Sequence, residues 1–129
     1  MKPNIWYQGK VIKGKKFGRV LGYPTVNLDN PEVLSQENEG VYVVKVSINN
    51  KQYYGVLFFG PRLILQETQN IIEIFLFEFH QQIYGSGIKY QLISFLRKPA
   101  NFSTTKALQN QIKTDIKMAK EIIRSLQSK

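Results

Sequence analysis

The stretch that decides the fold is an alternating apolar run that ends in a turn signal, Val41-Tyr42-Val43-Val44-Lys45-Val46-Ser47-Ile48-Asn49-Asn50. Residues 41–48 are rich in β-branched side chains, and the apolar even positions share one face of an extended chain, which predicts a half-buried β-strand. The two adjacent asparagines favour a tight turn. Residues 52–59 supply a second apolar run, so this part of the chain predicts an antiparallel β-hairpin.

Further strands are predicted on both sides of the hairpin, over residues 5–12, 71–79 and 89–96. Ser103 or Thr104 can cap a helix, after which apolar residues recur at helical spacing at Leu108, Ile112, Ile116, Ala119, Ile123 and Leu126. Five or six short antiparallel strands closed into a barrel leave no free sheet edge. We therefore predict a mainly β fold of the α+β class, in which one domain over residues 1–129 packs its C-terminal helix beside a barrel.

The composition excludes several kinds of functional site. The chain has no cysteine, which excludes disulfides, thiolate metal sites and cysteine nucleophiles. Its single histidine, His80, excludes a multi-histidine metal site, so a bound metal should be a hard cation held by oxygen. The net charge of +9 favours anionic partners such as phosphorylated small molecules, nucleic acid or a membrane surface. No stretch has the length or apolar character of a membrane span or a signal peptide, and we expect a cytoplasmic protein without a membrane partner.

A glycine-rich and basic loop follows the first predicted strand. It carries Gly14, Lys15, Lys16, Gly18, Arg19 and Gly22. Glycines let backbone N–H groups approach a ligand closely, and the adjacent cations suit the loop to phosphate binding. It is not a Walker A loop, because no Gly-Lys-Ser/Thr occurs in it. A solvated turn of the same composition is the alternative.

Two oxygen-bearing side chains, Thr25 and Asn27, end this region. They lie two residues apart, so an extended backbone would point both to the same side. Pro24 fixes its own φ and disfavours helical geometry in the residue before it, which stiffens the segment. A hydroxyl and an amide oxygen are donors that Mg²⁺ accepts together with phosphate oxygens.

One acidic residue, Glu73, lies within the predicted strand over residues 71–79. It shares a strand face with three phenylalanines, Phe75, Phe77 and Phe79, while Ile72, Ile74 and Leu76 share the other face. Buried acids are rare unless they are paired or used in chemistry. A glutamate near the strand end that reaches solvent is the alternative, and the sequence leaves both open.

In these residues the chain resembles the riboflavin kinase family. The family loop Gly-x-x-x-Gly-Arg-x-Leu-Gly-Phe-Pro-Thr-Ala-Asn-Leu corresponds here to Gly14-Lys15-Lys16-Phe17-Gly18-Arg19-Val20-Leu21-Gly22-Tyr23-Pro24-Thr25-Val26-Asn27-Leu28. Later matches are Gly40-Val41-Tyr42, residues 73–79, Ile83-Tyr84-Gly85, Arg97 with Phe102, and residues 111–115. The Pro-Thr-x-Asn stretch in its glycine-rich context is the specific part.

The resemblance implies a six-stranded antiparallel Greek-key β-barrel with a C-terminal α-helix. It implies phosphorylation of the riboflavin ribityl 5′-hydroxyl by ATP with Mg²⁺ to give FMN. By motif position, Thr25 and Asn27 would hold the metal, and Gly14, Lys15, Gly18, Arg19 and Pro24 would bind the nucleotide phosphates. By the same transfer, Glu73 would be the general base, and Arg97 and Phe102 would contact riboflavin.

The chain departs from the family pattern on the flavin side. Phe58 stands where the family usually has a small or amide residue, Leu63 and Ile64 replace Pro-Thr, and Phe75 replaces a histidine. An acid that usually follows Arg97 is also missing. These departures put flavin affinity and rate in question more than the class of reaction. The family also allows an FMN adenylyltransferase domain on the N-terminal side of a longer parent chain.

Two alternatives to a kinase follow from the sequence. A degenerate family member would bind flavin or nucleotide without turnover. A basic β-barrel could bind single-stranded nucleic acid if Tyr53, Tyr54 and Tyr90 were exposed for base stacking. We rank nucleic-acid binding below the kinase, because it leaves the Pro-Thr-x-Asn stretch unexplained.

Overall fold

The computed structural model describes residues 4–14 and 22–128. Its β-strands are β1 (Tyr7–Ile12), β2 (Val26–Leu28), β3 (Gly40–Ile48), β4 (Lys51–Gly60), β5 (Ile71–Leu76) and β6 (Gly87–Arg97). Two short 3₁₀ helices cover Pro31–Leu34 and Leu63–Leu65, and the α-helix α1 covers Thr105–Gln127.

The strands form a closed barrel in the order β1-β2-β5-β4-β3-β6, and all neighbouring strands are antiparallel. Strands β3, β4 and β5 follow one another as neighbours, and β6 returns to pair with β3, which is the Greek-key connection. The predicted six-stranded Greek-key barrel with a C-terminal helix is confirmed. Closure satisfies the outer edges of the sheet.

The predicted hairpin is present with the expected turn. β3 and β4 pair from Gly40 opposite Phe59 to Ile48 opposite Lys51. Asn49 and Asn50 have φ angles of 51° and 66°. Positive φ at both central residues is the geometry of a type I′ turn, whose twist matches that of the strands it joins.

Two predicted strands are shorter than expected. The first begins at Tyr7 rather than at residue 5, and β5 ends at Leu76 rather than at residue 79. β5 stops because Glu78 has a φ of 58°, which removes the chain from the extended conformation. Residues 26–28, within the segment expected to be extended, form the short strand β2 between β1 and β5.

The barrel has an apolar interior and one covered outer face. The interior contains alternate residues of the strands, among them Tyr42, Val44, Leu57, Ile72, Ile74 and Tyr90. A second cluster on the outside joins Val41, Val43 and Val56 to Ala119 and Ile123 of α1. The helix therefore packs on the outer face of β3, β4 and β6, beside the barrel as predicted.

The three tyrosines considered for base stacking are mostly occupied by packing. Tyr90 is buried in the barrel interior and stacks on Tyr7 with ring centroids 5.5 Å apart. Tyr53 is half-buried against Phe79, and Tyr54 is half-buried beneath the Lys45 ammonium. These three tyrosines therefore do not form the exposed aromatic platform that the nucleic-acid alternative would need, because the alternating strand pattern directs their rings into the two clusters.

Thr104 begins the helix, and its replacement by alanine tests the capping prediction. The Thr104 Oγ1 accepts a hydrogen bond from the Ala107 N–H at 3.1 Å. We expect Thr104→Ala to lower the free energy of unfolding by about 1 kcal/mol, measured by urea denaturation. Thr104→Ser keeps the hydroxyl and should retain the parent stability, whereas equal losses in both variants would contradict the capping role.

No helix in the described part of the chain is long and apolar enough to cross a membrane.

Candidate active site

A pocket that is open to solvent lies on the outside of the barrel. Strands β4 and β5 form its floor, and the segment after β6 and the first turns of α1 form one wall. The segment before β2 and the turn after β4 form the other wall. Its lining includes Tyr23, Thr25, Val56, Phe58, Arg62, Leu63, Ile64, Glu73, Phe75, Arg97, Ala100, Phe102, Leu108, Ile112 and Asp115. The lining is largely apolar, and its charged residues are Arg62, Glu73, Arg97 and Asp115.

Glu73 lies on the pocket floor, in the third position of β5. Its neighbours Ile72 and Ile74 point into the barrel, so alternation places the carboxylate on the outer face. It pairs across the sheet with Asn27 of β2 on one side and with Phe58 of β4 on the other. The side chain is only 15% exposed, so the alternative of a solvent-reaching glutamate is wrong.

Arg62 joins Glu73 to Asn27 and was not singled out from the sequence as a site residue. Its Nε donates to Glu73 Oε1 at 2.5 Å, and its Nη2 also contacts that oxygen. The same Nη2 donates to Asn27 Oδ1 at 2.8 Å, while Nη1 donates to Glu67 Oε1 at 3.0 Å. One guanidinium thus holds the predicted base and a predicted metal ligand.

The environment of Glu73 shifts its acidity. Burial raises the pKa of the Glu73 carboxyl above its ordinary value, because a charge is poorly solvated there. The Arg62 guanidinium lowers the pKa and the nearby Glu67 carboxylate raises it, and burial outweighs the opposing effect of Arg62. Such a group suits proton transfer near neutral pH better than an ordinary exposed glutamate does.

Of the two predicted metal ligands, Thr25 lines the pocket and Asn27 accepts a hydrogen bond from the lining residue Arg62. Asn27 is in β2 and is 8% exposed, and Thr25 lines the pocket just before that strand. Pro24 is exposed beside them. The other predicted phosphate-binding residues Lys15, Gly18 and Arg19 lie outside the described residues.

Gly14, in the described part of the glycine-rich loop, lies directly against the Asn27 side chain. A Cβ atom at this position would lie 2.3 Å from Cγ of Asn27, far inside the contact distance. The absence of a side chain at position 14 therefore leaves room for the amide of Asn27.

Replacing Gly14 with alanine tests this close approach. The added Cβ would displace the Asn27 amide. If Asn27 holds Mg²⁺ as the resemblance implies, we expect Gly14→Ala to raise the Mg²⁺ concentration for half-maximal FMN formation by roughly tenfold, the lower end of the effect of disturbing a metal ligand's support. Gly87→Ala is the matched control, since a Cβ at position 87 meets nothing within 4 Å. Equal metal requirements in the two variants would contradict the prediction.

Arg97 and Phe102, predicted to contact the flavin, line the same pocket as Glu73. The Arg97 guanidinium forms a two-pronged contact with the Asp115 carboxylate of α1, with Nε–Oδ1 at 2.9 Å and Nη2–Oδ2 at 2.8 Å. Gln111 Nε2 also donates to Asp115 Oδ1 at 2.9 Å, and the guanidinium lies 5.9 Å from the Phe102 ring centroid. Arg97 therefore joins the end of β6 to α1 at the pocket wall.

Asp115 belongs to the family match over residues 111–115, but the sequence analysis assigned it no role at the site. It lies three residues after Ile112 and four before Ala119, which places it on the packed face of α1. An acid on that face predicts a buried partner, and this signal could have identified the contact with Arg97.

The residues that depart from the family pattern gather in the pocket. Phe58, Leu63, Ile64 and Phe75 all line it. The Tyr23 ring meets the Phe75 ring edge to face, with centroids 5.7 Å apart. These substitutions make the pocket more apolar, which favours a flat aromatic ligand over a charged one.

Comparison of the sequence with known proteins identifies the family to which the chain belongs. The sequence profile of riboflavin kinase (flavokinase) matches residues 1–123. The chain belongs to the riboflavin kinase family.

Two curated relatives come from Bacillus subtilis strain 168. The RNA-binding riboflavin kinase RibR is 38% identical over 109 residues, which are 84% of this chain and 46% of that protein. A bifunctional riboflavin kinase/FMN adenylyltransferase is 36% identical over 111 residues, which are 84% of this chain and 35% of that protein. The chain thus spans less than half the length of these two relatives.

A solved structure supports the fold assignment. The crystal structure of riboflavin kinase from Trypanosoma brucei superposes with a TM-score of 0.68, covering 95% of this chain and 81% of that one. The two sequences are 22% identical, so this likeness concerns the barrel and its helix.

Proposed function

We propose that the chain is an ATP:riboflavin 5′-phosphotransferase that makes FMN from riboflavin. The observation that carries this proposal is the pairing of Glu73 with Asn27 across the sheet, at the edge of an apolar pocket in a member of this family. An acid beside an oxygen ligand gives phosphoryl transfer its two main requirements, a base for the nucleophile and a place for charge neutralisation.

In the proposed reaction the ribityl 5′-oxygen attacks the γ-phosphorus of ATP. A new O–P bond forms as the bond between the γ-phosphorus and the β,γ-bridging oxygen breaks, and ADP leaves. The hydroxyl proton passes to the Glu73 carboxylate, whose raised pKa makes it a better proton acceptor. The Phe58 and Phe75 rings flank Glu73 and exclude water from the reacting hydroxyl.

We infer that Asn27 Oδ1 and the Thr25 hydroxyl hold Mg²⁺. Their oxygens fit a hard cation, and the space at Gly14 leaves the Asn27 amide its position. Within residues 4–14 and 22–128, no three His, Cys, Asp or Glu side chains form a metal cluster. The pair of oxygens from Asn27 and Thr25 suits a cation that takes one or two protein oxygens and completes its shell with phosphate oxygens and water. When bound, Mg²⁺ neutralises phosphate charge and aligns the transferred group.

The remaining site assignments are also part of the proposal. Gly14, Lys15, Gly18, Arg19 and Pro24 bind the nucleotide phosphates. Phe102 stacks on the flavin ring, and Arg97, which is committed to Asp115, holds the pocket wall behind that ring.

The proposal extends to the setting of the protein. Residues 1–129 act as one kinase domain in the cytoplasm, where ATP and riboflavin are its substrates. The bifunctional relative supports an adenylyltransferase domain as its partner, on the N-terminal side of a longer chain.

A chromatographic assay tests the proposed function. Riboflavin, ATP and Mg²⁺ are supplied and FMN is measured, with Thr25→Ala and Asn27→Ala beside the parent protein. We expect FMN from the parent and a loss of about 10- to 100-fold in both variants, as for other disturbed metal sites. Thr114→Ala and Asn110→Ala make the same changes at exposed positions of α1 and should retain full activity.

Two outcomes would contradict the proposal. Quenching of riboflavin fluorescence without FMN formation would indicate a flavin-binding module without turnover. If neither signal appears, salt-dependent binding of a labelled single-stranded oligonucleotide would instead indicate the nucleic-acid alternative.

A further inference from the structure

We propose that Arg62 is a positioning residue that orients the metal ligand Asn27 and the base Glu73 with a single guanidinium. The inference rests on the proposed function, because it assigns Arg62 to the same site. It adds that metal binding and proton abstraction depend on one side chain that touches neither the metal nor the transferred proton.

The hydrogen bonds of Arg62 carry this inference. The Nη2 atom contacts both Asn27 Oδ1 and Glu73 Oε1, and Nε makes a second bond to the same Glu73 oxygen. The third nitrogen, Nη1, is held by both oxygens of Glu67, at 3.0 and 3.4 Å. The side chain is only 9% exposed, so solvent competes little for these bonds. The planar fork of an arginine fixes the angles between its partners as well as their distances.

The bond to Asn27 fixes which way its amide points. A guanidinium only donates, so the amide atom that faces Arg62 is the oxygen Oδ1. A carbonyl oxygen has two lone pairs, and the bond from Nη2 uses one of them. No other donor among the described residues reaches this oxygen, so its second lone pair remains available to a cation. Arg62 thus presents the oxygen of Asn27 to the metal and turns the NH₂ group away.

The backbone holds Arg62 in place. It follows the end of β4 and precedes the 3₁₀ helix Leu63–Leu65. The Arg62 carbonyl accepts from the Leu65 N–H at 3.1 Å and from the Glu67 N–H at 3.2 Å. The turn therefore fixes the position from which the guanidinium reaches across β5 to β2.

Binding of Mn²⁺ in the presence of ADP tests the inference without catalysis. Electron paramagnetic resonance measures free Mn²⁺ in the full chain and in Arg62→Lys, which keeps the charge but loses the fork. We expect the Mn²⁺ dissociation constant to rise roughly 10- to 100-fold, as for the loss of other groups that orient metal ligands. Arg124→Lys makes the same change at an exposed position of α1 and should leave the dissociation constant unchanged.

A double-mutant cycle separates positioning from a general structural effect. If Arg62 acts on the metal through Asn27, then Arg62→Lys should weaken Mn²⁺ binding little further once Asn27→Ala is present. Equal losses in both backgrounds would overturn the inference, and so would parent-like Mn²⁺ binding and turnover in Arg62→Lys. If Arg62→Lys fails to fold, the inference is tested in the parent protein by the nuclear magnetic resonance signal of the Arg62 Nε–H group. A shift on addition of Mg²⁺ and ADP supports the inference, and an unchanged resonance overturns it.

The two proposals fail in different ways. Absence of FMN from the parent protein would overturn the proposed kinase function, while Mn²⁺ binding and its coupling to Arg62 remain measurable. Conversely, FMN formation with no effect of Arg62→Lys would overturn the role of Arg62 alone.

Discussion

Replacing Glu73 with glutamine should lower the turnover number for FMN formation by about 100- to 10,000-fold, the usual contribution of a general base. Glutamine has nearly the same shape and keeps an oxygen that accepts from Arg62 Nε, so the contact with Arg62 is preserved. The amide cannot take the proton of the attacking hydroxyl. We therefore expect the loss in the rate of the chemical step, measured by single-turnover formation of FMN.

Binding measurements distinguish this effect from damage to the pocket. Riboflavin quenching and Mg²⁺·ADP affinity should stay close to the parent values in Glu73→Gln. Glu121→Gln, the same change at an exposed position of α1, should retain full turnover. An unchanged turnover number in Glu73→Gln would remove this residue from the role of base.

The pH dependence of the parent enzyme should report the same group. The proposed base must be ionised, so we expect activity to fall as the pH drops through the pKa of Glu73. Because burial raises that pKa, the fall should begin at a higher pH than for an ordinary exposed glutamate. The measurement is the pH profile of kcat/KM for riboflavin at saturating Mg²⁺·ATP. A value of kcat/KM that stays constant down to the ordinary pKa range of a glutamate carboxyl would contradict the prediction.

Replacing Arg97 with methionine should lower the free energy of unfolding by about 3–5 kcal/mol, the cost of leaving a buried charge without its partner. Asp115 is 4% exposed and would keep only its hydrogen bond from Gln111. Methionine preserves much of the apolar stem of arginine, so lost packing contributes little. Urea denaturation measures the change.

The loss should shrink when the stranded charge is removed as well. The double variant Arg97→Met with Asp115→Asn places a neutral amide beside Gln111, and we expect it to recover part of the stability. Arg97 itself is 21% exposed, so Asp115→Asn alone should cost less than Arg97→Met. A loss below about 1 kcal/mol in Arg97→Met would mean that the pair behaves as a surface ion pair.

Local patterns in the sequence predicted the hairpin and the helix. The alternation in β3 and the asparagine pair after it can each be recognised within a few consecutive residues. The helical spacing and the Thr104 cap can be recognised within one or two turns of the helix. Closure of the barrel was harder to predict, because it depends on β2, whose three residues are too few to show alternation. The resemblance to the family, and not the spacing, indicated six strands.

The charged contacts of the site were predicted least well, for a physical reason. Arg62 lies 35 residues from Asn27 and 11 from Glu73, and only the order of strands in the barrel brings them together. Gly60 and Pro61 directly before it indicate only that a strand ends there. The resemblance predicted that Glu73, Thr25 and Asn27 share a site, yet it gave no partner for any of them.

The alternation along β5 has a practical consequence for engineering. Ile72, Ile74 and Leu76 fill the barrel, while Phe75 and the neighbouring Phe58 face the pocket, so the two sets share a backbone but few contacts. A combinatorial library that varies only positions 58, 63, 64 and 75 would test which ligands the pocket accepts while the barrel interior stays intact. Phe58 and Phe75 also pack against the cluster that joins α1 to the barrel, so selection on such a library would act on helix packing as well as on ligand choice.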